Sequence, residues 1–137
     1  MTNFRIAVKA VILQGNNILL LKRRSNDVHK PNTWDIPGGR LNNGENPYEG
    51  LKRETKEETG LDIDIVIPID VHHFIRDDEQ KITMIIFVCK TKSKQILLSE
   101  EHQEYIWIDL FAQSNLFPEW MHGVIEKIKR YIYLEKI

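Results

Sequence analysis

The segment from Asn46 to Gly60 constrains the fold of this chain more than any other. Asn46 can cap a helix, Pro47 fits a first turn without wasting an amide, and Glu49 completes a capping-box pattern. Gly60 suits the left-handed stop that ends a helix. A helix of about three turns is expected over residues 47–59. Before it, residues 6–13 and 18–24 read as a strand hairpin joined by Gly15-Asn16-Asn17. Residues 25–33 are polar, carry Pro31 and read as an exposed loop, and residues 34–39 form a short extended piece running into a glycine turn. After the helix, residues 61–74 read as a strand interrupted near Pro68, residues 76–80 as a turn, and residues 82–91 and 104–108 as further strands. Pro118 can open a last helix, in which Trp120, Val124, Ile128 and Ile132 recur at helical spacing with Met121 and Ile125 beside them. Strands on both sides of a central helix, with a second helix at the end, predict an α/β fold with a mixed sheet packed between helices.

Length and charge narrow the function. At 137 residues the chain matches one domain, 1–137, with no linker or repeat to divide it. Its 19 basic and 20 acidic side chains leave a net charge of -1, which offers no footprint for duplex nucleic acid. Cys89 is the single cysteine and lies in an apolar run, so a buried small hydrophobe is expected there. No signal-peptide pattern opens the chain, and no run approaches the roughly 18–20 apolar residues that span a bilayer. A cytoplasmic protein without a membrane partner is expected.

The chemistry concentrates on one helix face. Glu54, Glu57 and Glu58 stand at i, i+3 and i+4, with neighbouring Cβ atoms roughly 5–6 Å apart. Tyr48, Leu51, Thr55 and Thr59 form a separate stripe, turned away from the acids and able to face a sheet. Three adjacent carboxylates repel one another, and a divalent cation reverses that penalty. Magnesium favours hard oxygen ligands and shares phosphate oxygens with substrates. An acidic helix face is equally an ordinary solvated surface, and Arg53–Glu57 an ordinary i, i+4 pair.

The wider pattern decides between these. Gly39, Glu45, Arg53, Glu54, Glu57, Glu58, Gly60 and Leu61 fit G-x5-E-x7-R-E-U-x-E-E-x-G-U, with U bulky and apolar. Seven fixed letters at typical frequencies recur by chance in such a chain with a probability on the order of 10⁻⁶. The pattern resembles the box of the Nudix hydrolases, the MutT-like nucleoside polyphosphate pyrophosphohydrolases. Thr55 departs from it by standing at an apolar position. Trp34-Asp35-Ile36-Pro37-Gly38-Gly39 resembles the family's lead-in, Leu19 to Arg23 the strand before it, and Trp107 a later strand.

The resemblance implies a Nudix-type α/β/α sandwich and a Mg2+-dependent hydrolase, with Mn2+ able to substitute. Glu57, Glu58 and the Gly39 carbonyl are the implied metal ligands. Glu54 is a further ligand or the base for water, Arg53 orients the glutamates, and Glu45 braces the loop or reaches a second metal. Among Glu100, Glu101 and Glu104, the preferred extra carboxylate is Glu104, with Glu101 second. Arg23 is the expected phosphate contact, with Gly38 and Gly39 at the substrate, and Arg24 is expected on the opposite face. His72 and His73 should likewise point to opposite faces, at most one seeing the cleft. Trp34 is expected to pack under the glycine turn, and Trp120 and Met121 to be core. Both Glu57 and Glu58 are expected at a solvent-accessible cleft.

The substrate is less marked. The positions where ADP-ribose and dinucleoside polyphosphate hydrolases of the family often carry proline and tyrosine hold Asp77 and Glu79. Met121 stands where an oxidised-guanine enzyme reads its base with asparagine. A nucleoside triphosphate cleaved to monophosphate and pyrophosphate is the expected substrate, bound by a monomer or homodimer. The alternatives are ADP-ribose, a dinucleoside polyphosphate or a nucleotide sugar, or a Nudix domain that binds nucleotides without cleaving them.

Overall fold

The computed structural model describes residues 3–112 and 115–135. Seven strands and two helices follow one another as β1 (Phe4–Gln14), β2 (Asn17–Arg23), β3 (Trp34–Asp35), β4 (Gly38–Arg40), α1 (Pro47–Thr59), β5 (Asp64–Ile75), β6 (Lys81–Lys90), β7 (His102–Asp109) and α2 (His122–Glu135). The strands form one mixed sheet ordered β3-β2-β1-β6-β5, with β4 also paired to β1 and β7 to β2. Among the described residues only the β1–β6 pair is parallel; β1 runs beside β6 over ten residue pairs from Phe4↔Lys81 to Leu13↔Lys90.

β1 and β2 touch only at the hairpin end, Leu13↔Ile18 and Gln14↔Asn17. Beyond that they splay apart. β4 takes the vacated edge of β1 at Ala7, Val8 and Lys9, β3 pairs with β2 at Leu21 and Lys22, and the Ala10 amide donates to the Pro37 carbonyl at the crossing. This splay is what opens a cleft in the middle of a sheet.

The two faces of the sheet bury different residues of the same strands, as a period of two requires. Val8, Ala10, Ile12, Leu19 and Leu21 pack under α1 with Leu51 and Phe87. Ala7, Val11, Leu13, Ile18 and Leu20 pack under α2 with Met121, Val124, Ile125 and Ile128. The α/β/α sandwich expected from the sequence is the fold observed.

Helix α1 has the expected bounds. The Asn46 side chain accepts from the Tyr48 and Glu49 amides, and Gly60 closes the helix at φ 76°. Thr55 fits its apolar position because its hydroxyl donates back to the Leu51 carbonyl at 2.9 Å, leaving the methyl to pack in a site with no solvent exposure. Tyr48 is less buried than its stripe suggested, half exposed with its ring edge against Phe87. Pro68 does not interrupt β5, since two register shifts against β6 absorb it. β7 begins two residues earlier than expected, at His102, and a 3₁₀ turn, Glu119–Met121, precedes α2.

Candidate active site

The splayed strands, the N-terminal part of β4, the acidic face of α1 and the start of β7 enclose a cleft of about 920 Å³. Glycine geometry places its floor. Gly38 sits at φ 142°, and a Cβ there would run into the Val8 carbonyl; a Cβ on Gly39 would come within 2.9 Å of the Glu54 carboxylate. Backbone this close to neighbouring atoms has no room for a side chain. The close approach lets the Gly38 amide donate to Glu58 Oε1 at 2.9 Å.

The three helix acids meet different surroundings. Glu57 is exposed, as expected, with its side chain 59% accessible, but it is not among the residues that line the cleft. Glu58 is buried: only 4% of it is exposed, so the expectation of solvent access fails for this residue. One helical step of about 100° turns Glu58 from the solvent side toward the sheet. Burial pushes its carboxyl up to about 8, against the lowering pull of Lys9 and the Gly38 amide. Glu54 is also raised by burial, with Arg53 opposing.

Arg53 engages every carboxylate around it. Its Nε and Nη2 donate to the two oxygens of Glu45 at 2.7 and 2.9 Å, and Nη1 lies 3.1 Å from Glu54 and 3.3 Å from Glu57. This bidentate pair holds Glu45 down at about 2, so Glu45 stays ionised. The Glu45 carboxylate also accepts from the Asn42 amide at 2.9 Å, which pins the loop ahead of α1.

Glu104, the sequence preference for an extra carboxylate, is not among the residues that line the cleft. Glu104 pairs opposite Lys22 in β7 and ends 3.3 Å from its Nζ, exposed to solvent and outside the cleft wall. A register shift between Lys22 and Arg23 separates this position from His102. Glu101 and His102 instead border the cleft, and their ligating atoms lie within 4.8 Å of each other and of Glu58.

Arg23 lines the cleft, its Nη2 3.0 Å from Asp27 and its Nη1 3.5 Å from Asp35. Its Nε is buried with no hydrogen-bond partner among the described residues. Arg24 also borders the cleft, although alternation would send it away. β2 ends at Arg23, so the strand rule no longer governs the next residue. Both His72 and His73 border the cleft as well. His72 reaches Asp70 at 3.2 Å and stands edge-on to Trp120, with ring centroids 5.6 Å apart. Met121 is core, whereas Trp120 forms part of the cleft wall. Trp34 packs partly buried against the core under α2.

Sequence reasoning missed Lys9. It is a lone charge within the apolar run 6–13, and that was its signal. The side chain is 13% exposed, and its ammonium lies 3.1 Å from Asp35 and donates to the Ile36 carbonyl at 3.2 Å. It thereby clamps the segment leading into Gly38.

The NUDIX domain model matches residues 3–125. The chain belongs to the Nudix family. Relatives include the 8-oxo-dGTP diphosphatase of Buchnera aphidicola subsp. Acyrthosiphon pisum, 36% identical over 105 residues, covering 74% of this chain and 82% of the relative. The nucleoside triphosphatase NudI of an Enterobacter species is 32% identical over 116 residues, covering 77% and 82%. Among solved structures, the MutT protein from Methanosarcina mazei Go1 superposes with a TM-score of 0.82 at 30% identity, covering 94% of this chain and 95% of that one. This chain is thus a MutT-like Nudix hydrolase acting on phosphoanhydrides. Nudix hydrolases generally use divalent metal ions. Among the described residues, no helix of this one is long and apolar enough to cross a membrane.

Proposed function

We propose that this Nudix hydrolase cleaves nucleoside triphosphates, NTP or dNTP, to the monophosphate and pyrophosphate. The carrying observation is the layout of a single cleft. Glu54, Glu58, Glu101, Arg23, Arg24, His72 and Trp120 all line it, with ligating atoms of Glu58 and Glu101 within 4.8 Å of each other and His72 edge-on to Trp120. A polyphosphate needs the acids and the arginines, and a base needs the flat ring. The relatives named for 8-oxo-dGTP and for nucleoside triphosphates support the same substrate class.

The donor set fits a divalent ion. A carboxylate with 4% exposure beside Glu101, and raised further by Glu54, is poorly stable when ionised unless a cation compensates it. Glu54, Glu57, Glu58, Glu101 and the Gly39 carbonyl would hold the ion, with Mg2+ expected and Mn2+ able to substitute. When bound, it neutralises the polyphosphate and acidifies a water.

The protein's own groups do the rest. Arg53 fixes the rotamers of Glu54 and Glu57 through charge-assisted bonds. Glu54, raised by burial, is poised to take the proton of the attacking water. Arg23, with an unpartnered Nε, meets a phosphate oxygen. Water adds to phosphorus, the α–β anhydride P–O bond breaks, and pyrophosphate leaves as an anion that needs no proton.

The test is a hydrolysis panel with Mg2+ or Mn2+. It covers common and oxidised nucleoside triphosphates, ADP-ribose, dinucleoside polyphosphates and nucleotide sugars, with Glu57→Gln as control. Monophosphate and pyrophosphate from a triphosphate, reduced by orders of magnitude in the control, is the expected result. Inert triphosphates alongside turnover of ADP-ribose or a dinucleoside polyphosphate would replace the substrate. Tight nucleotide binding with no turnover of any compound would replace the enzyme by a binding domain.

A further inference from the structure

The acidic face of α1 supplies only oxygen donors, yet the cleft also presents a nitrogen. His102 opens β7 opposite Arg23, and a ring nitrogen lies within 4.8 Å of ligand oxygens of both Glu58 and Glu101. Its Nδ1 is shut off from solvent and has no hydrogen-bond partner among the described residues. Buried polar atoms are nearly always paired, and an unpaired one requires an explanation. His102 has no carboxylate or carbonyl partner to explain it as a satisfied core histidine, and it faces the cleft rather than the core.

The segment carrying it is held from both sides. The His102 amide donates to the Ser99 carbonyl, and the Glu100 carbonyl accepts from Arg24. The Gln103 amide nitrogen donates to the Arg23 carbonyl at 2.9 Å and to Asn32 Oδ1 at 2.8 Å. The backbone that carries the imidazole is therefore fixed before any ligand arrives. Ligand bonds of about 2.0–2.2 Å bring three donors already within 4.8 Å onto one ion with small side-chain adjustments.

We propose that His102 is a nitrogen ligand of the divalent ion, so that the centre is a mixed carboxylate–imidazole site favouring Mn2+ or Co2+ over Mg2+. The inference rests on reading the cleft as a metal centre. Magnesium takes oxygen ligands, whereas imidazole suits the transition-series ions, whose affinities rise along the series from Mn2+. An all-carboxylate site and a site with one imidazole therefore differ in metal preference even when both hydrolyse the same substrate.

The experiment uses the full chain without nucleotide. Mn2+ is bound to wild-type protein and its electron spin echo modulation recorded, with a second sample carrying 15N-labelled histidine. Titration calorimetry gives Kd for Mg2+, Mn2+ and Co2+ on wild type, His102→Ala and Glu58→Gln. A 14N coupling that converts to 15N on labelling and disappears in His102→Ala is expected. The variant's Mn2+ and Co2+ affinity should fall by at least about 10- to 100-fold, the scale on which metal sites respond to loss of even an outer-shell partner, and its Mg2+ affinity by less than about threefold. No histidine nitrogen coupling in wild type, or an unchanged Mn2+:Mg2+ preference in the variant, overturns the proposal. Because the wild-type spectrum needs no variant to fold, it decides on its own. If Glu58→Gln binds ions as tightly as wild type, the metal-centre reading itself fails. If Glu58→Gln loses binding and His102→Ala does not, only the role of His102 fails.

Discussion

Replacing Glu58 by glutamine should make the metal-free protein more stable, and by an amount that depends on pH. Glu58 is 4% exposed, and its carboxyl is raised from 4.5 to about 8. Between those values the folded protein holds a proton that the unfolded chain has released. Stability from this group is therefore complete below about pH 4.5, falls as pH rises through the window, and levels off above about pH 8. At 1.36 kcal/mol per unit, the ionisable side chain costs the apo protein about 3 kcal/mol at pH 7 and on the order of 4–5 kcal/mol above pH 8. Glutamine keeps the oxygen that accepts from the Gly38 amide and never ionises.

The assay is thermal unfolding of both proteins in chelator, from pH 4.5 to 9. Taking the difference between them cancels other titrating groups, notably Glu45 and Asp70, whose lowered carboxyls act in the opposite sense. For a chain of this size about 3 kcal/mol corresponds to roughly 10 °C in Tm. The variant should melt that much higher at pH 7, with the gap closing toward pH 4.5. Divalent ion at a thousand times its Kd should add about 4 kcal/mol to wild type alone, enough to close the gap at pH 7. Tm curves that run parallel across the whole pH range would refute the reasoning, because burial of this carboxylate would then cost nothing. The site, on this view, stores instability that its cation relieves.

Gly38→Ala should destabilise the protein by roughly 2–4 kcal/mol, since a Cβ collides with the Val8 carbonyl at a φ of 142° that side chains rarely adopt; a chemical denaturation midpoint unchanged from wild type would sink this. Trp120→Ala should raise KM for the nucleotide about 5- to 100-fold with a smaller change in kcat, as expected for a lost stacking surface worth roughly 1–3 kcal/mol; an unchanged KM removes Trp120 from the nucleoside site. Arg53→Lys should lower kcat by about tenfold or more while KM changes little, because a point charge cannot reproduce the bidentate grip on Glu45 together with Glu54; steady-state kinetics at saturating metal checks it.

The readability of this chain follows from the range of the forces involved. Helix α1 was legible because its start and stop are local: Asn46, Pro47 and Gly60 act on backbone atoms within four residues. The acidic trio was legible for the same reason. Where a feature depended on strands meeting across the sheet, single-strand rules failed. Alternation put Arg24 away from the cleft, but β2 had already ended. It divided His72 from His73, but β5 ends the sheet's strand order and the cleft lining takes four consecutive residues of it, His72 to Ile75, from both faces. That Glu101 and not Glu104 borders the cleft follows from where β7 begins and from its register against β2, which no local pattern announces.

Lys9 shows how a local anomaly can carry long-range information. A lysine inside an eight-residue apolar run is costly to bury unless paired, so its presence demands an acid brought from elsewhere. That acid is Asp35, 26 residues away and 3.1 Å from the ammonium. Lys9 stands opposite Gly38 in the β1–β4 register and also holds the Ile36 carbonyl, so the pair fastens the lead-in to β1 just where Gly38 must meet Glu58. The same ammonium lowers the Glu58 carboxyl against the much larger effect of burial. One charge thus contributes to both requirements of the site, a fixed backbone beneath the carboxylates and a partial counter-charge for the acid buried deepest among them.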